Sequence, residues 1–341
     1  MKFKTLEISF KGFFIKQINF YWKKEMQEII KIFFFFSHIF NGSLNVLSET
    51  RLQEIFEQKN ATIQELNALA QKHFLRPKNA ERMSTKAIEH YKKLCSGLSL
   101  IQKKQIISLF YDFGYISSIY PKNNMNPDII LIQGSTVQNM RERLMFLAKI
   151  IQKDVVHLKK ETQIVFLAGE RKLFPTETKE VLLNPEPYVL NLKWSSPKIL
   201  PKDEREAAKL VWNQLELPLV LREKTPLFIE ATKQQGETRA QTMDCIQLWL
   251  QHNIPQSQKK VLMVSNNPYV QYQMNVTELG ILKAGLSDYF DVEGIGRSFD
   301  VNEDEDIDIT IGILMDTLAR VLYVKNQSEE LKQKKNIKEN L

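Results

Sequence analysis

The sequence has 341 residues, of which 43% are hydrophobic and 26% are charged, with 12 glycines and 12 prolines. This composition is typical of a folded globular protein and excludes collagen-like and wholly disordered chains. The 47 Lys and Arg residues against 40 Asp and Glu give a net charge of +7. Lysines are concentrated at the two ends, and no zinc finger, RNA-recognition motif or arginine-rich helix accompanies them, so we expect no nucleic-acid partner. Cys95 and Cys245 are too far apart in sequence to indicate a disulfide framework or a zinc site.

Residues 1–47 form a basic and apolar N-terminal segment that contains the run Ile29–Phe40. Lys31 interrupts this run, which is shorter than the roughly 20 apolar residues needed to span a bilayer. The small-x-small cleavage site of a secretory signal is missing from its end. We therefore predict a cytoplasmic protein with a buried or interfacial helix here, and keep export or membrane contact through Ile29–Phe40 as the alternatives.

Helical periodicity dominates residues 48–125, which we predict to be a helical subdomain. Leu52, Ile55 and Phe56 have the i, i+3, i+4 spacing of an amphipathic helix, and Thr62 offers the cap of a second one. The same pattern continues through 84–94 and 98–110.

From residue 126 to residue 324, short β-branched runs alternate with longer amphipathic stretches. The predicted strands are 128–133, 163–167, 227–229, 260–264 and 290–292, and the predicted helices are 137–151, 203–215, 240–252, 269–282 and 307–324. This alternation predicts an α/β domain, with a doubly wound, mainly parallel, Rossmann-like sheet of five or slightly more strands. Residues 325–341 are a polar tail, which we predict to be a solvated helix end or disordered.

In an open parallel sheet, ligands bind beyond the carboxyl ends of the strands. Four of the predicted strands are followed there by small and polar residues, which predicts a polar crevice. The candidate ligand-binding residues are Gly134, Ser135, Arg141, Gly169, Arg171, Arg239, Thr242, Ser265, Asn266 and Asn267. Glu170 and Glu230 are the candidate catalytic carboxylates. For Glu170, we favour an ion pair with an arginine over a role as a second acid.

Arg141 and Arg239 are the residues that we predict to hold an anion. The turn at Gly134 and Ser135 offers backbone N–H groups at the positive end of a helix. An ordinary tight turn with a helix cap is the favoured alternative for that turn by itself. Glu230 would bond a ribose hydroxyl or act as a general base.

Several chemistries lack their motifs in this chain. None of the five histidines falls in the predicted loops of the crevice, so no Ser-His-Asp or Cys-His system is indicated. No Walker motif is present, and no Gly-x-Gly-x-x-Gly follows the first strand, which excludes ordinary NTPases and dinucleotide dehydrogenases. The acidic stretch 300–306 lacks the glycine and spacing of an EF-hand loop, so we predict no metal site.

The order of these elements resembles the ElyC/SanA/YdcF family of α/β proteins over about residues 128–324. The resemblance rests on the acidic helix start at Glu204–Ala207, the turn Leu215-Glu216-Leu217-Pro218, Glu230 at a strand end, the Arg239-x-x-Thr242 stretch and the loop Val264–Tyr269. The chain departs from the family where a glycine pair often follows the first strand and a His-x-x-Arg follows the fourth.

The resemblance implies a Rossmann-like fold, a polar pocket for S-adenosylmethionine or a nucleotide-like ligand, and a link to the bacterial envelope. It implies no defined reaction. Two functions therefore stay open at this point. One is an enzyme or enzyme-like protein that binds a nucleotide-type or phosphorylated anion, and the other is a non-catalytic binding or interaction module.

Overall fold

The computed structural model describes residues 62–78, 80–301 and 306–339. The chain divides into two units, one comprising the residues up to Phe113 with 302–315, and the other comprising Gly114–Val301 with the chain from Asp316 onward. The apolar run Ile29–Phe40 lies outside the described residues, so its role stays a prediction.

The first unit is helical, with α1 over Ile63–His73, α2 over Thr85–Cys95 and α3 over Leu100–Asp112. The side chains of Thr62, Ser84 and Ser99 each accept a hydrogen bond from a backbone N–H in the first turn, which explains where these helices begin. The long helix α10, Ile307–Glu339, starts in this unit. Gly312 lies so close to the ring of Tyr91 that an added Cβ would stand 2.2 Å from its Cγ atom.

The second unit contains five strands and six more helices in the described part of the chain, together with the end of α10. In chain order these are β1 Ile129–Gln133, α4 Val137–Gln152, β2 Gln163–Gly169, α5 Lys179–Leu183, α6 Glu204–Gln214, α7 Leu219–Arg222, β3 Leu227–Ala231, α8 Thr242–His252, β4 Lys259–Asn266, α9 Val270–Lys283 and β5 Phe290–Arg297. All neighbouring strands are parallel, in the order β3-β2-β1-β4-β5. The predicted doubly wound α/β fold is confirmed.

The central strand β1 supplies side chains to a separate apolar core on each face of the sheet. Ile130 and Ile132 belong to the core covered by α4, α5 and α6, whereas Ile129 and Leu131 belong to the core covered by α8 and α9. Alternation along a strand explains this division. Burial on both faces explains why β1 is a continuous apolar run instead of an alternating one.

Two elements are longer than the sequence pattern predicts. Strand β5 continues through Gly294 and Gly296 to Arg297, and both glycines pair with β4. A Cβ at Gly296 would lie 2.8 Å from Ser265 O, so the close approach of the two strands requires a glycine there. Helix α10 continues to Glu339, and Leu331 packs against the apolar cluster of Val276 and its neighbours. No helix among the described residues has both the length and the apolar character needed to cross a bilayer.

Candidate functional site

The strand order of the sheet reverses between the neighbouring strands β1 and β4. From β1 the chain moves outward to β2 and β3, then crosses to β4 and β5 on the other side. The helices that follow the two central strands lie on opposite faces, α4 on one and α9 on the other. Their first turns therefore diverge at this point, which is where open α/β sheets form their ligand crevice.

Gln133 is the last residue of β1 and lies at this point. Its side chain is 2% exposed, and its Nε2 atom is buried without a hydrogen-bond partner in the described structure. Because side chains alternate along a strand, Gln133 lies on the same face as Leu131, which is the face covered by α8 and α9. An unpartnered buried amide costs about 1–3 kcal/mol, so this group marks a position where a partner is expected.

Ser265 lies on the same face of the neighbouring strand β4. It is fully buried, and its hydroxyl donates a hydrogen bond to Oε1 of Gln273 in the first turns of α9. The preceding residue on this face is Met263, which packs in the same core as Leu131. Gln133, Ser265 and Gln273 thus form a buried polar layer on top of an apolar core.

Helix α9 begins directly above this layer. Its N-cap residue is Tyr269, which makes no side-chain capping bond. The N–H groups of the first turn have no partner inside the helix, and they form the positive end of its dipole. The loop that leads into the helix contains a cis peptide bond before Pro268.

Arg143 joins the two central strands from the opposite face. Its guanidinium is buried, with Nε 2.8 Å from Asn266 Oδ1 and Nη1 2.7 Å from Gln133 O and 2.9 Å from Gly134 O. One side chain thereby fixes the loops that follow both β1 and β4. Asn267 fixes the second loop further, because its Nδ2 donates to Gly114 O at 2.8 Å and to Ser117 O.

A second buried polar cluster lies between the ends of β1 and β2. Arg171 pairs with two carboxylates, Glu177 Oε2 at 2.8 Å and Glu204 Oε2 at 2.7 Å. Its Nη2 also donates to Ser135 O at 3.0 Å. Burial raises the pKa of the Glu204 carboxyl, while the positive charge of Arg171 acts in the opposite direction.

Glu177 occupies the N-terminus of α4, where we predicted an anion site. Its Oε1 accepts a hydrogen bond from Val137 N at 2.9 Å. The first turn of α4 is therefore already neutralised by a carboxylate of the chain itself. Ser135, at the same turn, accepts a hydrogen bond from Asn139 Nδ2 at 3.0 Å. The tight-turn interpretation fits these contacts better than an anion site does.

Close packing explains why the predicted glycines stand at the ends of β1 and β2. An added Cβ at Gly134 would lie 2.1 Å from Glu204 Oε1 and 2.7 Å from Leu167 O. At Gly169 it would lie 3.0 Å from Ala240 Cβ, and the Gly169 N–H donates to Glu204 Oε1 at 3.2 Å. The absence of a side chain at Gly134 makes room for the buried carboxylate of Glu204, and its absence at Gly169 makes room for Ala240.

Arg141 is not brought to the ends of the strands. It is fully buried, and its guanidinium donates to Gln214 Oε1, Leu182 O and Asn184 O at 2.7–3.1 Å. Burial lowers its pKa to about 10, so it remains a cation at neutral pH. Its contacts connect α4 to α5 and α6, so Arg141 is not part of the candidate site.

The two candidate catalytic carboxylates also contact residues of the chain itself. Glu230 is exposed on the edge strand β3 and pairs with Lys209 of α6. Glu170 Oε2 accepts a hydrogen bond from Lys233 N at 3.3 Å. Arg239 and Thr242 are half-buried at the start of α8, and the charge of Arg239 acts on the buried Glu204.

The structure therefore brings together Ser265, Asn266 and Asn267 of the predicted set and adds Gln133, Arg143 and Gln273. A single polar residue at the end of an otherwise apolar strand was the signal for Gln133. Among the described residues, no group of three His, Cys, Asp or Glu side chains could hold a metal ion.

No protein-family model matches this sequence, and no curated protein or solved structure is significantly similar to it.

Proposed function

We propose that this protein binds a small anionic ligand, nucleotide-like or phosphorylated, between the carboxyl ends of β1 and β4. The observation that carries the proposal is the buried Nε2 of Gln133, a donor without a partner, beside the uncapped first turn of α9. A phosphate or carboxylate oxygen would accept from both the amide and the helix N–H groups. The same anion would complement the positive end of the helix dipole.

The surroundings of Gln133 support an anion in preference to a cation. Arg143 brings a buried positive charge to within 2.7 Å of Gln133 O. At the β1–β2 junction, by contrast, Glu177 and Glu204 supply the negative charge themselves, so we propose no ligand there.

Binding is favoured over catalysis by the contacts of the two candidate catalytic residues. Glu230 pairs with Lys209 at the sheet edge, and Glu170 accepts from the Lys233 N–H. We therefore assign no reaction. The proposal also includes membership of the ElyC/SanA/YdcF family, S-adenosylmethionine as one candidate ligand and a cytoplasmic location. The alternative is an exported or membrane-associated protein of the bacterial envelope.

Thermal unfolding in the presence of candidate ligands tests the proposal. The panel is inorganic phosphate, AMP, S-adenosylmethionine and glucose 6-phosphate, each with the wild-type protein, Gln133→Leu and the control Gln251→Leu on the exposed end of α8. A ligand at 100 times its Kd stabilises the folded state by about 2.7 kcal/mol. We expect such a shift for the wild type and the control and a much smaller one for Gln133→Leu.

Two results would contradict the proposal. One is the absence of a shift with every compound in the panel. The other is an equal shift in Gln133→Leu and the wild type, which would place the ligand elsewhere. Turnover of the stabilising compound, followed by mass spectrometry, separates an enzyme from a binding module.

A further inference from the structure

Residues 189–202, which we call the 189–202 loop, present large apolar side chains to solvent. Val189 is 69% exposed, Leu192 97% and Ile199 76%. Val189 O accepts a hydrogen bond from Glu216 N at 2.8 Å, which places the start of the loop beside the turn that leads into α7. Such a concentration of exposed apolar side chains in one loop indicates an interaction site.

The loop is also basic. It contains Lys193, Lys198 and Lys202 and no acidic residue. All three lysines are exposed, and none pairs with a carboxylate in the described part of the chain. Trp194 is half-buried between them. Lysine, tryptophan and aliphatic side chains at short intervals are the combination found where proteins contact the interface of a membrane.

The loop is held firmly at both ends, so these side chains are presented by a defined backbone. At one end, Asn191 N donates to Gln214 O at 2.8 Å, Asn191 Oδ1 accepts from Lys193 N at 3.1 Å, and Asn191 O accepts from Trp194 N at 2.9 Å. At the other end, Lys202 N donates to Glu206 Oε2 at 2.8 Å. Between these anchors, Pro197 and Pro201 restrict the backbone further.

A cleft of about 520 Å³ separates the loop from α6. Trp194 and Ile199 line it together with Lys209, Leu210 and Asn213 of the helix. The apolar surfaces of the loop are therefore open to solvent on the side that faces α6. Leu200 packs against the core, whereas Val189, Leu192 and Ile199 stay exposed, so these three side chains are available to a partner.

We propose that the 189–202 loop docks the protein on an anionic lipid membrane. Leu192, Ile199 and Val189 would enter the interfacial region, and the tryptophan would lie at the level of the headgroups. The lysines would lie against the negatively charged lipid headgroups, where each contributes about 1 kcal/mol. The charge of the loop favours an anionic membrane over a neutral one, because a neutral surface would not attract the three unpaired lysines. This proposal is independent of the ligand site at Gln133.

Co-sedimentation of the full-length protein with vesicles tests the proposal. One set of vesicles contains phosphatidylcholine alone, and the other contains phosphatidylcholine with phosphatidylglycerol. We expect binding to the anionic vesicles, weakened more than about 25-fold in Lys193→Glu/Lys198→Glu, since the loss of each lysine costs about fivefold and the new carboxylates are repelled by the headgroups. The control with the same charge change is Lys149→Glu/Lys283→Glu, which we expect to bind far more tightly than the loop variant.

The apolar contribution has a closely matched pair of variants. Ile199→Ser changes the loop, and Ile254→Ser changes an isoleucine of similar exposure, 71%, elsewhere in the same unit. We expect Ile199→Ser to weaken binding more than about tenfold, because an aliphatic side chain leaving water contributes about 1.5–3 kcal/mol. Ile254→Ser is expected to bind like the wild type.

Three outcomes would overturn the proposal. The first is no binding to anionic vesicles, and the second is equal binding by the wild type and both loop variants, which would place the membrane contact elsewhere in the chain. The third is loss of binding in the lysine variant with full binding in Ile199→Ser. That pattern would indicate a purely electrostatic surface, suited to an acidic protein instead of a membrane.

Discussion

Replacing Gly134 with alanine tests how tightly the junction between β1 and α4 is packed. The added Cβ would lie 2.1 Å from Glu204 Oε1 and 2.7 Å from Leu167 O. Neither oxygen is free to move, because Glu204 Oε1 accepts from Gly169 N at 3.2 Å and Leu167 O accepts from Gly134 N at 2.8 Å. The alanine must therefore displace a buried carboxylate, the end of β2, or both.

The expected cost follows from these two contacts. Overpacking a well-filled interior costs about 1–3 kcal/mol. Moving Glu204 also weakens its buried pair with Arg171, and complete loss of such a pair costs about 3–5 kcal/mol. With partial displacement we expect a loss of about 3 kcal/mol in the free energy of unfolding. For a unit of this size, the melting temperature would fall by roughly 6–12 °C.

Urea and thermal unfolding, followed by circular dichroism, measure this cost. Gly236→Ala is the control, because Gly236 has a φ of +87° and no atom lies within 4 Å of an added Cβ. Only the left-handed backbone then destabilises the variant, by about 1–2 kcal/mol. In a Glu204→Ala background the clash with Oε1 is absent. There, Gly134→Ala should destabilise the protein by at least about 0.5 kcal/mol less than it does in the wild type, since residues in contact usually show a coupling of about 0.5–3 kcal/mol. The reasoning is refuted if Gly134→Ala costs no more than Gly236→Ala, or costs the same in both backgrounds.

Three further predictions concern buried groups. Gln133→Leu removes an unpartnered donor, so we expect the free protein to gain about 1 kcal/mol against urea; a loss of stability would show that the amide has a partner. Arg143→Met leaves two backbone carbonyls and an amide oxygen without their donor, so we expect a loss of about 2–4 kcal/mol in the free energy of unfolding in urea. The control Lys149→Met, on the exposed side of the same helix, should lose under about 0.5 kcal/mol. Similar losses in the two variants would contradict this prediction. Burial raises the pKa of the Cys95 and Cys245 thiols to about 12. Iodoacetamide at about pH 8 should therefore label these thiols only after the protein unfolds. Labelling of the folded protein, measured by mass spectrometry, would disprove this prediction.

The sheet could be predicted because its signal is local. The run Ile129–Ile132 is apolar without alternation, which is enough to indicate a strand buried on both faces. The extension of β5 through Gly294 and Gly296 could not be predicted in this way. Glycine is a poor strand former by itself, and only the close approach of β4 and α9 explains its presence there.

The candidate site was predicted less completely because side-chain direction depends on helix phase. Arg141 and Arg143 are two residues apart, which places them about 200° apart around α4. Arg141 therefore contacts Gln214 on α6, whereas Arg143 contacts the ends of the central strands. Glu177 lies in an irregular segment, and nothing in its local sequence indicates that it caps α4.

The most direct test of the ligand site is a crystal structure of the protein as purified, or soaked with the compound that stabilises it most. We predict electron density for an anionic group within hydrogen-bond distance of Gln133 Nε2 and the first N–H groups of α9. Density for the ligand at another position, with Gln133 Nε2 bonded to a protein group, would contradict the proposed site.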